Sequence, residues 1–464
     1  MEKTKTKKLK QTDMLSGGPL RRILWFSLPL IAGNLFQQLY YIVDATVIGK
    51  FVSIEALAAV NCCSWFIWLL NASARDFLNT VSILASVAVG QHDDRKMQKI
   101  VVNALFVTAV VSVLGLAVLL LGCPLILRLF NVSDALWDMA GTYLRVVFVG
   151  FPLVFLFSAT SALLRAVGNS RITFWAVTAG TVINVVLDLL FVLVFHWSVF
   201  GAAFATVIAE GASAVITTVP FVRSSLFPRE KEAWKFERKI LLEMGKIWTP
   251  MAINSLVITI GGVFVARGVN SVGTYFTAGI AVESRIFNLF EAAFIAILSG
   301  LSVFIGQNYG AGEYRRIRQG VSRTILFCVA VVAGLNLALP FIGRPMIRLF
   351  LTNDNPETYA KAFKVALVDV RINVLAMFLL AVMYMYRIAV QTLGHSEFAM
   401  YGGFFQLFAR MFWVLVLPEY IGVYAYYTAS AVAWLGTIPF VAIPYFYYMK
   451  KAEKGAIQDV RRKE

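Results

Sequence analysis

Apolar runs of about twenty residues or more recur along most of the chain, and that recurrence limits the fold more than any other feature. Backbone N–H and C=O groups in hydrocarbon must be satisfied internally, so only helices and closed barrels can cross a bilayer. The runs are rich in Leu, Val, Ile, Ala and Phe and lack the ten-residue alternation of barrel strands, which selects helices. Twelve spans are expected, near 23–49, 55–89, 97–122, 138–164, 171–195, 199–222, 246–269, 274–305, 318–342, 359–390, 398–417 and 424–449. Charged residues are 15% of the chain, against about 25% in soluble domains. The expected class is an all-α polytopic membrane protein embedded in a lipid bilayer.

The formal net charge is +16, and its placement is informative. Lysines and arginines crowd ahead of the first span, between the two halves (Arg223, Arg229, Lys231, Lys235, Arg238, Lys239, Lys246), and after the last span. The positive-inside rule makes all three segments cytoplasmic, and an even number of spans agrees. The expected organisation is a basic tail over 1–22, a six-helix lobe over 23–222, a cytoplasmic linker over 223–245, a second six-helix lobe over 246–449 and a basic tail over 450–464. The expected location is the plasma (cytoplasmic) membrane. These charges flank spans and have no groove-reading or base-stacking motif beside them, which argues against a nucleic-acid partner. The first run is too long for a signal-peptide core and has no clear cleavage site, so it reads as a retained span. Cys62, Cys63, Cys123 and Cys328 form no C-x-x-C pair, and His92, His196 and His395 are scattered, so no cysteine–histidine metal cluster is expected. No P-loop is present, which argues against direct ATP drive.

The chain also repeats itself. Val87-Ala-Val-Gly90-Gln91 matches Val303-Phe-Ile-Gly306-Gln307; Arg128-Leu-Phe130 matches Arg348-Leu-Phe350; Leu164-Arg-Ala-Val-Gly168-Asn-Ser170 matches Val390-Gln-Thr-Leu-Gly394-His-Ser396. The offsets are 216, 220 and 226 residues. One six-helix unit used twice predicts two pseudo-symmetric bundles around a central cleft, with the substrate path between them.

Within the first span, Pro29 to Asp44 carries Asn34, Gln37, Gln38 and Asp44 in an otherwise apolar stretch. Gly33, Gln37, Tyr40 and Asp44 share one helical face. A carboxylate in hydrocarbon costs roughly 2.5–3.5 kcal/mol, so Asp44 is expected to face a cavity, an ion or a partner. Candidate partners lie on the fifth span, Asn184 and Asp188, and on the sixth, Thr206 and Glu210, each pair one turn apart. Counting about 1.5 Å per residue places Asp44, Asp188 and Thr206 within ~10 Å of the outer surface. Two carboxylates, an amide and a hydroxyl at one depth could hold a hard cation such as Na+, or share a proton. The two carboxylates could instead cap separate helix ends.

Arg75 and Asp76 form a charged pair inside the second span. Aligning the halves on Gly90 and Gly306 sets Arg75 level with Glu291 in the eighth span. The two could form a latch between lobes or a polar substrate contact; Arg75 could equally pair with Asp76. Asn34, Gln37 and Glu210 join them as candidates for the substrate path. Arg410 needs a partner inside the eleventh span and is expected to be structural. Aromatics such as Trp65, Trp68, Tyr384, Tyr386 and Trp413 could stack on a flat organic cation.

Leu28-Pro-Leu-Ile, Val43-Asp44 followed by Gly49, Glu55-Ala-Leu-Ala-Ala, Gly90-Gln91, Leu164-Arg-Ala-Val-Gly168-Asn, Asn184 with Asp188, Gly201-Ala-Ala-Phe-Ala-Thr206 and Gly306-Gln-Asn-Tyr-Gly310-Ala-Gly312 occur in order over about residues 18–448. Together they resemble the multidrug and toxic compound extrusion (MATE) family, closest to its DNA-damage-inducible-F-like prokaryotic branch. The resemblance implies that Tyr40, Asp44, Asn184, Asp188 and Thr206 belong to an amino-lobe H+ or Na+ site, and that Pro29 bends the first span. Relatives often carry Pro after the fifth-span Asp; Leu189 stands here, so less of a kink is expected. One subgroup uses acids on the seventh and tenth spans. The seventh span here offers Asn254, Ser255 and Thr259 and no acid, leaving Glu283 and Glu291 as second-site candidates, while Asp369 and Arg371 read as an interfacial ion pair.

The function expected is secondary active efflux by alternating access, exchanging H+ or Na+ for cationic or amphipathic organic compounds. No cofactor is expected, and the protein is expected to act as a monomer. A lipid-linked oligosaccharide or peptidoglycan-precursor flippase is the alternative and would call for several cleft Arg or Lys. An intramembrane enzyme would need a nucleophile–base or metal cluster, which the sequence lacks.

Overall fold

The computed structural model describes residues 12–129, 132–351 and 355–461; of these, the side chains of 39–46, 48–50, 54, 57–58, 61–65, 231–232 and 456–461 lie outside the description. The described chain is helical, with no strand. The first half contains α1 (Pro19–Phe51), α2 (Ile54–Gly90), α3 (Asp94–Leu129), α4 (Asp134–Ala166), α5 (Arg171–Asp188) and α6 (Ser198–Arg223). The second contains α7 (Arg238–Val272), α8 (Thr274–Gly310), α9 (Tyr314–Phe350), α10 (Pro356–Thr392), α11 (Ser396–Leu415), a single turn α12 (Pro418–Ile421) and α13 (Tyr424–Arg461). A 3-10 turn, Lys231–Trp234, lies in the connection. Ten helices among the described residues are long and apolar enough to cross a membrane. With α1 and α2, part of whose side chains lie outside the description, twelve long helices result.

Side-chain chemistry at the helix ends fits the boundaries. Ser53 caps α2 by accepting from Ala56 N at 3.0 Å. Asn355 caps α10 through bonds from Glu357 N and Thr358 N at 3.0 and 3.2 Å, with Pro356 opening the helix. Each satisfies donors the helix itself cannot reach. Large apolar side chains such as Val113, Leu114, Val118 and Leu121 on α3 point outward, as a lipid-facing surface requires.

The chain divides into two compact units, one running to Gly245 and the other from Lys246, with residues 16–23 counted in the second. In the first unit α4 packs on α6, α2 and α3, and α5 packs on α6. Its core includes Val47, Tyr143, Val192, Val199, Ala202 and Ala203. In the second unit α10 packs on α8, α13 and α9, and α11 packs on α13.

The internal repeat extends to turn geometry, with one correction to its register. The α4–α5 turn bonds Gly168 N to Arg165 O and Asn169 N to Leu164 O; the α10–α11 turn bonds Gly394 N to Gln391 O and His395 N to Val390 O. Gly168 and Gly394 have φ of 87° and 91°, where a side chain would be strained. After α2, Asp93 N bonds Ala88 O; the corresponding bond after α8 joins Glu313 N to Asn308 O. The second helices of the two halves, α2 and α8, are each 37 residues long and end at Gly90 and Gly310. Gly306 therefore lies one turn inside α8, and the match of Gly90 with Gly306 is out of register. Arg75 and Glu291 are consequently one turn apart in depth along their respective helices, about 6 Å, and do not occupy equivalent positions.

Candidate functional site

The site in the first unit rests on the close packing of α5 against α6. Ser213 on α6 donates to Ala176 O on α5 at 3.0 Å, and Gly180 of α5 abuts the Ser213 hydroxyl. This approach sets Asn184 and Asp188, one turn apart on α5, against Thr206 on α6. Asp188 and Asn184 are 0% and 2% exposed. The hydrogen-bond network orients the Asn184 amide so that Nδ2 donates to Asp188 Oδ2 at 2.9 Å while Oδ1 accepts from Thr206 N at 3.2 Å. The opposite orientation would give only a 3.3 Å bond from Nδ2 to Thr206 Oγ1 and would aim the amide oxygen at the carboxylate. Thr206 Oγ1 also reaches Ala202 O at 3.1 Å. Immediately after Asp188 the α ladder gives way to a π-helical segment, Leu189–Val194. Leu189 does not carry the helix on regularly: the hydrogen-bond register changes here in place of a proline kink.

The first helix approaches the same region. Gly33 lies against Phe174 and Val177 of α5, with its Cβ direction 3.6 and 3.8 Å from them. Asn184 and Asp188 follow Val177 by seven and eleven residues, and positions 40 and 44 follow Gly33 by the same steps, so each set shares a face. The side chains of Tyr40 and Asp44 lie outside the described residues. Gln37 is exposed and Asn34 half-buried.

Glu210, one turn beyond Thr206, is held by a different feature. Its Oε2 is buried with no hydrogen-bond partner among the described residues, and it occupies the space a Cβ at Gly150 of α4 would need, 2.5 Å away. Arg75 is exposed, with its guanidinium 5.7 Å from the centre of the Trp68 ring. Asp76 is half-buried, and its carbonyl accepts from Thr80 at 2.9 Å.

The second unit departs from expectation. Asp369 is 2% exposed and accepts from Asn373 Nδ2 at 2.6 Å, whereas Arg371 is exposed. The expected Asp369–Arg371 ion pair is not formed, because residues two apart on a helix point to different sides. Asp369 instead lies within electrostatic range of the buried Glu283. Glu291 accepts from Tyr384 Oη at 2.6 Å, and Arg387 sits 5.7 Å over the Tyr384 ring. Sequence reasoning missed Arg387. Its signal was the one that exposed Arg410: a lone arginine inside an apolar run. Cys123 and Cys328 are buried free thiols. Among the described residues no group of three or more His, Cys, Asp or Glu is placed to hold a metal ion.

Comparison with known proteins places the chain. The MatE family profile matches residues 29–190 and 250–414, more than half the chain. "Probable multidrug resistance protein YpnP" of Bacillus subtilis is 26% identical over 360 residues, covering 76% of this chain and 80% of the relative. "Multidrug export protein MepA" of Staphylococcus aureus is 23% identical over 359 residues, covering 76% and 78%. Among solved structures, a MOP-superfamily transporter from Pyrococcus furiosus superposes with a TM-score of 0.87 at 18% identity, covering 96% of this chain and 98% of its own. An outward-facing multidrug resistance MATE transporter gives 0.86 at 19% identity, covering 97% and 100%. The structures establish the fold, and the profile establishes the kinship. The chain therefore belongs to the MatE family: it is a multi-pass membrane transporter of small molecules in the multidrug efflux class, needs no cofactor, and is not an enzyme.

Proposed function

We propose that this protein is a cation-coupled exporter, exchanging H+ or Na+ for cationic or amphipathic organic compounds by alternating access. The observation that carries this reading is the buried Asn184–Asp188–Thr206 network. A carboxylate wholly removed from water, with an amide and a hydroxyl beside it on two helices, is the kind of group that a proton or a hard cation engages. The matching steps from Gly33 and Val177 support grouping positions 40 and 44 of α1 with Asn184 and Asp188, and we assign Tyr40, Asp44, Asn184, Asp188 and Thr206 to the coupling site. H+ would be taken by Asp44 or Asp188. Na+ would draw on Asp44, Asp188, Thr206 Oγ1 and the Asn184 amide oxygen, and would require the amide to turn. Asn34, Gln37, Arg75, Asp76, Glu210 and Glu291 are assigned to the substrate path.

In this reading a cation at Asp188 shifts the balance between two conformations by a few kcal/mol, enough to reverse it. The multidrug names of the relatives support drug-like substrates. The basic tails and linker support cytoplasmic termini in the plasma membrane, with two six-helix lobes over 23–222 and 246–449 acting as a monomer.

The test is efflux of a fluorescent organic cation from proteoliposomes under separately imposed H+ and Na+ gradients. One gradient should drive wild-type efflux, and Asp44→Asn and Asp188→Asn should each abolish it. Gradient-driven efflux that survives in both variants would overturn the site. Turnover only of polyprenyl-pyrophosphate lipids, with no dye efflux, would favour the flippase alternative.

A further inference from the structure

The connection between α6 and α7 reads Leu226-Phe-Pro-Arg-Glu-Lys-Glu-Ala-Trp-Lys-Phe-Glu-Arg-Lys239. Aromatic and charged residues are interleaved in it, a mixture that suits neither a packed core nor a fully hydrated loop. It is anchored at three places, all within the first unit. Phe227 packs edge-on against the buried Phe221 of α6 at 5.8 Å, and Trp234 packs edge-on against Phe227 at 5.7 Å. The Phe236 ring lies 5.0 Å from that of Phe106 on α3. Glu237 pairs with Lys99 of α3 at 2.6 Å.

The two contacts on α3 fix where this segment sits. Phe106 opens an exposed apolar stripe that continues through Val110, Val113 and Leu114, the lipid-facing side of the helix. Lys99 lies seven residues earlier, about 10 Å along the axis, and carries a charge that belongs among water and headgroups. A segment that touches both marks lies where hydrocarbon gives way to headgroups. Trp234 and Phe236 remain 47% and 48% exposed there in spite of their anchors. Lys235 between them has extended backbone (φ −79°, ψ 118°), so the two rings project to the same side. The Trp234 indole N–H already donates to Pro228 O at 3.0 Å, and its ring can enter an apolar phase without stranding a donor. Arg229, Arg238 and Lys239 are exposed and enter none of the ion pairs among the described residues. Glu237 is taken by Lys99, which leaves Glu230 as their exposed acidic neighbour among the described residues. Arg238 and Lys239 open α7, and its first turn holds no acid. Two cations therefore stand at the positive end of a helix dipole, a placement that a nearby anion offsets.

We propose that the connection between α6 and α7 is an interfacial foot that binds anionic phospholipid. Trp234 and Phe236 enter the edge of the bilayer, continuing the lipid-facing stripe of α3, and Arg229, Arg238 and Lys239 hold headgroup phosphates of the same leaflet. The inference rests on membrane embedding alone and is independent of the coupling site.

The test is hydrogen–deuterium exchange, read by mass spectrometry, on full-length protein in two sets of nanodiscs. One set holds phosphatidylcholine alone, and the other holds phosphatidylcholine with phosphatidylglycerol. Exchange of the amides over 229–242 should slow about fivefold or more in the anionic discs, the factor that one lysine or arginine contributes near an anionic leaflet. The triple variant Arg229→Gln, Arg238→Gln, Lys239→Gln should exchange at one rate in both. Peptides from α4 should be unchanged throughout, which reports that the variant is folded. Equal exchange of wild type in the two lipids, or slowing that persists in the triple variant, would overturn the foot. Glycerol phosphate added to neutral discs should leave the rate unchanged; protection equal to that by phosphatidylglycerol would assign the cations to a soluble phosphate and overturn the bilayer version. Protection by added cytosolic protein and not by anionic lipid would assign the surface to a soluble partner, with the same result. A second readout tests the rings. The emission removed by Trp234→Phe should be emission that brominated acyl chains quench in wild type, and if it is unquenched Trp234 stays outside the bilayer and the proposal fails.

Discussion

Asn184 Nδ2 lies 2.9 Å from Asp188 Oδ2 within one buried turn of α5. The amide satisfies part of the carboxylate's hydrogen-bonding need but supplies no countercharge. The pair lies wholly out of water and joins α5 to Thr206 of α6, which is why it is the centre of the coupling proposal.

Asn184→Leu keeps the volume of the side chain and removes its polar atoms. It should destabilise the protein by about 1–3 kcal/mol, the range for stranding a buried polar group. A thermal melt in detergent should show the loss. Ion-driven efflux should fall more steeply than expression. A variant as stable and as active as wild type would contradict the network.

Gly180→Ala tests the α5–α6 approach. A methyl group there meets the Ser213 hydroxyl and comes within 3.2 Å of Ala209 O, a backbone atom that cannot rotate away. Overpacking of this kind should cost about 1–3 kcal/mol. It should also weaken coupling, because the same approach holds Asn184 against Thr206. Restoration by the double variant with Ser213→Ala, which clears the hydroxyl, would be measured by melting temperature and efflux together.

Gly168→Ala combines positive φ with a close backbone neighbour, since its Cβ would clash with the Thr12 backbone. Thr12 N bonds Gly168 O at 3.1 Å. The φ strain alone should cost about 1–2 kcal/mol. The segment around Thr12 should detach, and limited proteolysis should cleave it faster than in wild type. Gly394→Ala has nothing within 4 Å of its Cβ and should show the strain without a clash.

Tyr384→Phe removes the donor to Glu291. With both side chains half-buried, the stability loss should be about 1.5 kcal/mol, the low end for a hydrogen bond to a charged group. A thermal melt in detergent should show the loss, and an unchanged melting temperature would contradict the bond.

The sequence made the helices and the duplication legible because both depend on local signals: long apolar runs, and glycines at helix ends. Gly168 and Gly394 aligned correctly because positive φ demands glycine in both turns. Gly90 and Gly306 aligned wrongly because each precedes glutamine, although only Gly90 ends its helix. Asp188 and Asn184 were legible as expensive polar residues one turn apart. The link between them was not, since it depends on how an amide is rotated. Asp369 and Arg371 could have been separated from spacing alone, because i and i+2 do not face each other. Arg387 escaped notice among Tyr384, Met385 and Tyr386; its importance arises from three helices meeting, which no linear pattern records.

The π-helical segment Leu189–Val194 has a further consequence. It gives α5 one surplus residue, a phase shift of about 100° between the stretch bearing Asp188 and the stretch beyond it. Within the segment, Phe191 stacks on Trp197 at 4.9 Å and on Phe204 of α6 at 5.8 Å. The carboxyl-terminal end of the helix is thus indexed to α6 by aromatic rings and the stretch before it by Asn184, each with its own angular setting. Deleting a single residue between 189 and 194 should leave the carboxylate in place and swing the aromatic clamp off its partner, so length in this segment is a tuning parameter in its own right.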